Sequence, residues 1–164
     1  MRRNTAARRR PTAAPEVTLS TRYRLTLVRD PAAEAFDPPP LGDAAAVVDY
    51  LWRTIFHDEP RELCVVLFVD GLNHGIGHMI ATAGSRNHCP TDAHSILSAA
   101  LLSLADGFIL AHNHPRAAAK PSHGDLLFTR QLAAAARVLG LHLLDHLIVA
   151  SPTRWCSLRE KGHL

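Results

Sequence analysis

Residues 107–115 read Gly-Phe-Ile-Leu-Ala-His-Asn-His-Pro, and this stretch decides both the fold class and the candidate chemistry. The uncharged run from Gly107 to Ala111 is typical of a strand that is covered on both faces. His112 and His114 follow at positions i and i+2, so in extended backbone their side chains point to the same side. Two imidazoles at one strand end can bind one cation.

A third ligand follows in the next predicted helix, which starts at Ser122 and which Gly140 ends. A loop of this length can fold Asp125 back onto the end of the strand. Two neutral imidazoles and one carboxylate form a three-ligand Zn²⁺ site with a fourth position open to water, as catalytic zinc sites do. We therefore predict one zinc ion bound by His112, His114 and Asp125.

The same residues also fit a protein without a metal. A pair of histidines can simply end a strand, with both rings hydrogen-bonded. Ser122 and Asp125 form an S-x-x-D capping box, which would stabilise the helix start whether or not a metal is bound. The capping and ligand roles are compatible, because a capped helix also fixes the position of Asp125.

Metal-assisted hydrolysis also benefits from a group that accepts a proton from water. Glu62 directly precedes the apolar run 63–69 and is our candidate for this base. Asp58 and Glu59 are nearby acidic alternatives, since an exposed acidic cluster before a strand is common. The hydroxyl of Ser122 is a candidate donor to the oxyanion of a tetrahedral intermediate.

The remaining pattern predicts an α/β fold with a mixed β-sheet flanked by helices. We predict strands at 17–28, 63–69, 76–82 and 107–111, and helices beginning at Asp43, at Asp92 and at Ser122. Two short strands, 141–144 and 147–150, are expected to be separated at Asp145-His146. That pair is interpreted as a polar step between the strands, with support of a metal ligand as the alternative.

Composition limits the other possibilities. The chain has 164 residues, enough for one domain, and no apolar run is long enough to span a membrane. Of its 18 basic residues five lie before residue 11, leaving 13 against 15 acidic residues in the rest. We expect a disordered leader at 1–16, with weak nucleic-acid contact through its arginines as the alternative to a merely solvated segment: Arg2, Arg3, Arg8, Arg9 and Arg10. Three cysteines without CxxC spacing predict a reducing, cytoplasmic setting.

These motifs together resemble the RadC-like branch of the JAB/MPN metalloprotease superfamily. The string H-x-H-x7-S-x2-D with an upstream glutamate is the JAMM motif of that superfamily. The branch also has an acidic strand motif at 62–70, an LDH step at 144–146 and a closing S-x-R-E-x-G at 157–162. The resemblance covers residues 20–164 and predicts one domain over 17–164.

The resemblance implies a cytidine-deaminase-like architecture and a zinc-dependent peptidase or isopeptidase. In that reading His112, His114 and Asp125 bind zinc, Glu62 is the general base and acid, and Ser122 helps to hold the oxyanion. The implied substrate is a peptide or protein, including the tail of a ubiquitin-like protein. The alternative function is a DNA-repair-associated or DNA-binding accessory protein with a structural or inactive metal site.

The chain departs from the family pattern at two places. Arg116-Ala117 replaces the usual Ser-Gly after the second histidine, and Asp92-Ala93-His94 lacks an arginine and a glutamate that are usual there. The helix-hairpin-helix domain of longer relatives is not found, so we expect the short form.

Overall fold

The computed structural model describes residues 41–83 and 92–164. The arginine-rich leader and the strand predicted at 17–28 lie outside these residues. The helices are α1 (Ala44–Leu51), α2 (Ala93–Leu102) and α3 (His123–Val138), with a π-helical segment, Trp52–Phe56, directly after α1. The strands are β1 (Leu63–Val69), β2 (Gly75–Ala83), β3 (Gly107–Asn113), β4 (His142–Ser151) and β5 (Arg154–Ser157).

Within the described residues, these strands form one sheet in the order β2-β1-β3-β4-β5. Strand β1 pairs antiparallel with both β2 and β3, β3 pairs parallel with β4, and β4 pairs antiparallel with β5. The parallel pair is connected through α3, as a parallel connection requires. The predicted α/β class with a mixed sheet is confirmed.

The sheet lies between two helical layers, because β1 and β3 are buried along their whole length. Alternate residues of each strand face opposite layers. Helix α1 packs on the face that carries Val65 and Ile109. Helices α2 and α3 pack on the other face, which carries Val66 and Leu110. His112 continues the Leu110 side, so the candidate site lies on the α3 face of the sheet.

Each helix begins where a side chain can accept hydrogen bonds from the first backbone N–H groups. Asp43 caps α1, Asp92 caps α2 and Ser122 caps α3. Helix α3 ends before Gly140, whose φ of 75° is the left-handed conformation that glycine adopts without strain. The three predicted helix starts and the glycine stop are confirmed.

The prediction of two strands separated at Asp145-His146 is wrong, because β4 runs without interruption from His142 to Ser151. Its irregularity is a β-bulge. Phe108 pairs with Leu143 and Ile109 pairs with Asp145, so Leu144 has no partner position on β3. Both polar side chains are buried and hydrogen-bonded, which removes the reason for the strand to end there.

Candidate metal centre

Three chain segments meet at one edge of the sheet. The C-terminal end of β3 lies beside the start of β1, because Cys64 pairs with His112 in the antiparallel register. The parallel neighbour β4 continues the contact past the strand end, where the N–H of His114 donates to the carbonyl of Val149 over 2.7 Å. The first turn of α3 covers this edge and brings Ser122 and Asp125 to it.

The two motif histidines face each other. Nε2 of His112 lies 3.0 Å from Nε2 of His114. Nδ1 of His114 lies 2.8 Å from the carbonyl oxygen of Ala118, which can only accept, so Nδ1 carries the proton of the neutral ring. Nε2 of His114 is therefore unprotonated, and its lone pair is directed at His112. The loop that departs from the family pattern at Arg116-Ala117 thus still orients this ring.

The capping box of α3 orients the carboxylate of Asp125. Both the N–H and the hydroxyl of Ser122 donate to Oδ2 of Asp125 over 2.7 Å. The other carboxylate oxygen, Oδ1, lies 3.7 Å from Nε2 of His112. Partial burial raises the pKa of Asp125, but the Ser122 hydroxyl and the nearby His112 outweigh it, so the pKa lies below its ordinary value. The carboxylate is ionised near neutral pH.

These side chains form a donor set that suits a divalent cation. One ligand atom each from His112, His114 and Asp125 lies within 4.8 Å of the others. Burial lowers the pKa of His112 to about 4, which keeps its ring neutral, as a metal ligand must be. Two imidazole nitrogens and one carboxylate oxygen are ligands that Zn²⁺ accepts, and three of them leave a fourth tetrahedral position open. The residues present therefore fit the predicted zinc ion.

Glu62 directly precedes β1, whose start lies at the same end of the sheet as this group. The pairing ends at Cys64 and His112, and its continuation by two residues would set Glu62 opposite His114. Residues directly opposite in an antiparallel pair share a face of the sheet. The side chain of Glu62 is half-buried, and within the described part of the chain it has no hydrogen-bonding or ionic partner.

Asn113, the middle residue of the histidine motif, holds the backbone on both sides of Glu62. Its Oδ1 accepts a hydrogen bond from the N–H of Leu63 over 2.6 Å, and its Nδ2 donates to the carbonyl of Arg61 over 3.0 Å. Asn113 and Leu63 are buried, so the bond between them is shielded from water. Its amide reaches the glutamate segment from the face opposite the two histidines.

The two acidic alternatives to Glu62 have other surroundings. Glu59 forms an ion pair with Arg61 at 2.8 Å, and this hydrogen-bonded pair lowers the pKa of Glu59 to about 2. Asp58 is exposed, and its carboxylate lies 3.0 Å from Nδ1 of His57. Neither carboxylate contacts the two histidines of the motif.

For Asp145-His146 the sequence favoured a polar step between strands over support of a metal ligand. Interpreting Asp145-His146 as a polar step between two strands is wrong, because Nε2 of His146 lies 2.9 Å from Nδ1 of His112. On its other side, Nδ1 of His146 lies 2.6 Å from Oγ1 of Thr129. The signal in the sequence was a charged and a polar residue within an otherwise apolar run.

Asp145 faces the opposite side of β4 and holds the C-terminal segment. It accepts hydrogen bonds from the hydroxyl of Ser157 over 2.6 Å and from the N–H of Arg159 over 3.0 Å. The Ser157 hydroxyl oxygen in turn accepts from the N–H of Glu160. The closing S-x-R-E-x-G motif is therefore a structural contact with the LDH motif.

The arginines of the leader lie outside the described residues, so their predicted contacts remain predictions. No helix in the described ranges combines the length and the apolar character that crossing a membrane requires.

Comparison with known proteins agrees with this geometry. Residues 41–163 match the family model described as RadC-like JAB domain. The UPF0758 protein of Aquifex aeolicus (strain VF5) is 40% identical over 107 residues, covering 65% of this chain and 46% of the relative. The UPF0758 protein NMB1038 of Neisseria meningitidis serogroup B is 37% identical over 122 residues, covering 74% of this chain and 53% of the relative. The chain spans about half the length of these curated relatives.

Proposed function

The chain belongs to the RadC-like JAB domain family, and on that premise we propose that it is a zinc-dependent hydrolase that cleaves an amide bond. The observation that carries this proposal is the convergence of ligand atoms from His112, His114 and Asp125. The half-buried Glu62, which a continued β1–β3 register would set opposite His114, is our candidate for the second group that amide hydrolysis requires.

The ligand residues bring their lone pairs to one place. A bound zinc ion would supply Lewis-acid chemistry there, polarising a carbonyl group and making water more acidic. The ring of His114 is held by Ala118 and the carboxylate of Asp125 by Ser122, so both face this place without further rearrangement. Preorganisation of this kind avoids a cost at the moment of reaction.

Glu62 acts as the base and then as the acid. It takes a proton from the attacking water while the water oxygen bonds to the carbonyl carbon of the substrate. When the carbon–nitrogen bond breaks, Glu62 returns that proton to the leaving amine. The backbone on both sides of Glu62 is held by Asn113, which limits its displacement between the two steps.

Ser122 is our proposed oxyanion donor. Its hydroxyl proton is directed at Asp125 in the structure, so this role requires the hydroxyl to turn toward the substrate. The N–H of Ser122 also donates to Asp125, which would keep the carboxylate in place during that rotation. The expected gain is stabilisation of the charge that develops on the carbonyl oxygen.

We propose a peptide or isopeptide as the substrate, with the C-terminal tail of a ubiquitin-like protein as the specific form. We further propose that the protein works in the cytoplasm.

The test compares Glu62→Gln, Asp125→Ala and Asp58→Asn with the wild type. Elemental analysis should find about one zinc ion per chain in all of them except Asp125→Ala, because only that change removes a ligand. Hydrolysis of a fluorogenic peptide library should fall by about 10²-fold or more in Glu62→Gln. Asp58→Asn is the matched control, since it removes an exposed carboxylate of the same segment.

Two results would contradict the proposal. Full hydrolysis by Glu62→Gln would remove Glu62 from the mechanism. Wild-type protein that is folded and still binds no added zinc would remove the metal centre.

A further inference from the structure

A buried chain of hydrogen bonds connects helix α3 to the metal ligand His112. Oγ1 of Thr129 lies 2.5 Å from the backbone carbonyl oxygen of Asp125 and 2.6 Å from Nδ1 of His146. Nε2 of His146 then lies 2.9 Å from Nδ1 of His112. Thr129 and His146 are almost fully buried.

The direction of each hydrogen bond in this chain can be worked out from its fixed end. The carbonyl of Asp125 can only accept, and two oxygens without a proton between them would repel at 2.5 Å. The single hydroxyl proton of Thr129 is therefore directed at Asp125. Consequently Oγ1 of Thr129 accepts from His146, and the ring proton of His146 lies on Nδ1.

The same reasoning continues to the metal ligand. A neutral ring has one proton, so Nε2 of His146 is an acceptor once Nδ1 carries that proton. The bond at 2.9 Å then requires a donor from His112, which places the proton of His112 on Nδ1. Nε2 of His112 is left as a lone pair, directed at His114 and Asp125.

We propose that Thr129 and His146 are positioning residues that fix the tautomer of His112, so that its Nε2 lone pair faces the metal position. The inference rests on the metal centre of the proposed function, but it does not depend on hydrolysis. Partners that orient a ligating histidine through its second nitrogen contribute strongly to metal affinity in other proteins.

This series of hydrogen bonds also explains why polar residues occupy an interior position that apolar residues could fill. Burying a hydroxyl and an imidazole in place of aliphatic groups stabilises nothing unless each polar atom is paired. Each link of the chain here is paired, and its one fixed end is a backbone carbonyl whose position the α3 helix determines. A pair of aliphatic side chains would pack as well, but would leave His112 free to exchange its two tautomers.

The first test reads the tautomers directly by nitrogen–proton multiple-bond NMR of the zinc-loaded wild type near neutral pH. The signals are assigned by comparison with His146→Gln. His146 should carry its proton on Nδ1, and His112 should bind the metal through Nε2. A His146 ring with its proton on Nε2 would overturn the proposal, because that proton would occupy the bond to His112.

The second test measures zinc affinity by competition with a chelator. Thr129→Val keeps the shape of the side chain and removes the acceptor for Nδ1 of His146, so zinc should bind about 10–100-fold more weakly. Thr129→Ser restores a hydroxyl and should recover most of the affinity. Leu132→Val is the control for a core change on the same helix, since Leu132 is buried in the apolar cluster and offers no hydrogen-bonding side chain, and its zinc affinity should not change.

The outcomes separate this inference from the proposed function. Wild-type affinity in Thr129→Val overturns the positioning role and leaves the hydrolase proposal intact. Loss of affinity in Thr129→Ser as great as in Thr129→Val also overturns it, because the hydroxyl would then not be the decisive group. If Thr129→Val does not fold, the NMR experiment on the wild type decides alone. If the wild type binds no zinc, the metal centre fails, and the tautomer of His146 in the metal-free protein still tests the direction of the chain.

Discussion

Acid should unfold the metal-free protein through its two buried histidines. Burial lowers the pKa of His112 to about 4 and that of His146 to about 3, against about 6.5 for an ordinary histidine. Below about pH 6.5 the unfolded chain binds a proton at each of these rings, whereas the folded chain does not until the pH approaches the lowered pKa. The free energy of unfolding therefore falls as the pH falls through this window.

The size of the effect follows from the width of the window. For each buried ring, the free energy of unfolding falls by about 1.4 kcal/mol for each pH unit below the ordinary pKa. Between about pH 7 and about pH 5 each ring therefore lowers the free energy of unfolding by about 2 kcal/mol, and both rings together lower it by about 4 kcal/mol. Asp125 adds little there, because its pKa is lowered from a value that already lies below the window.

The assay is urea unfolding followed by circular dichroism, with a chelator present, at about pH 7 and about pH 5. The wild type is compared with His146→Gln, whose side chain is polar but does not titrate. Between the two pH values, the free energy of unfolding should fall by about 2 kcal/mol less in the variant than in the wild type. His57→Gln removes an exposed histidine and should behave as the wild type does. Equal pH dependence in wild type and His146→Gln would refute the reasoning, since His146 would then bind its proton equally in both states.

Three further substitutions test other parts of the structure. Asn113→Ala should lower hydrolysis by about 10²-fold and stability by about 1–3 kcal/mol without loss of zinc, because the backbone around Glu62 is released; unchanged turnover at full zinc content would contradict this. Ser122→Ala should cost about 1 kcal/mol in thermal unfolding through the lost helix cap, and Ser122→Thr should recover most of it. Gly107→Ala should cost about 1–3 kcal/mol, because the added Cβ would lie 2.8 Å from a backbone oxygen of β4, whereas Gly77→Ala meets nothing within 4 Å and should be tolerated.

The sequence predicted the features that depend on neighbouring residues, namely the apolar strand, the helix caps and the common side of the two histidines. The strand before His112 is apolar and short, and the caps of the helices are acidic or hydroxyl side chains at the expected positions. The same-side placement of His112 and His114 follows from the two-residue period of a strand. These features could be predicted because each depends on residues within about one helical turn or one strand.

Long-range partners account for what could not be predicted. Asp145 and His146 were interpreted as a break because their partners, Ser157 and His112, are distant in the chain. Strand β5 was not predicted, because Arg154–Ser157 has only four residues. An alternation of apolar and polar residues cannot be recognised over so short a segment. The link from Thr129 to His146 required the packing of α3 on the sheet, which no periodicity in the sequence reveals.

The β-bulge at Leu144 has a consequence for how this family tolerates insertions and deletions. Because of the extra residue, His146 pairs with Leu110 and shares its face with His112. If the same residues formed a regular ladder, His146 would lie opposite Ala111 and turn toward α1, with every later residue of β4 inverted as well. Deleting Leu144 would instead remove the bulge and keep His146 opposite Leu110. A β4 that is one residue shorter and has no bulge could therefore keep both the sheet and the ring that contacts His112. In comparisons among relatives, the residue count between the start of β4 and the histidine should thus be read together with the presence or absence of the bulge.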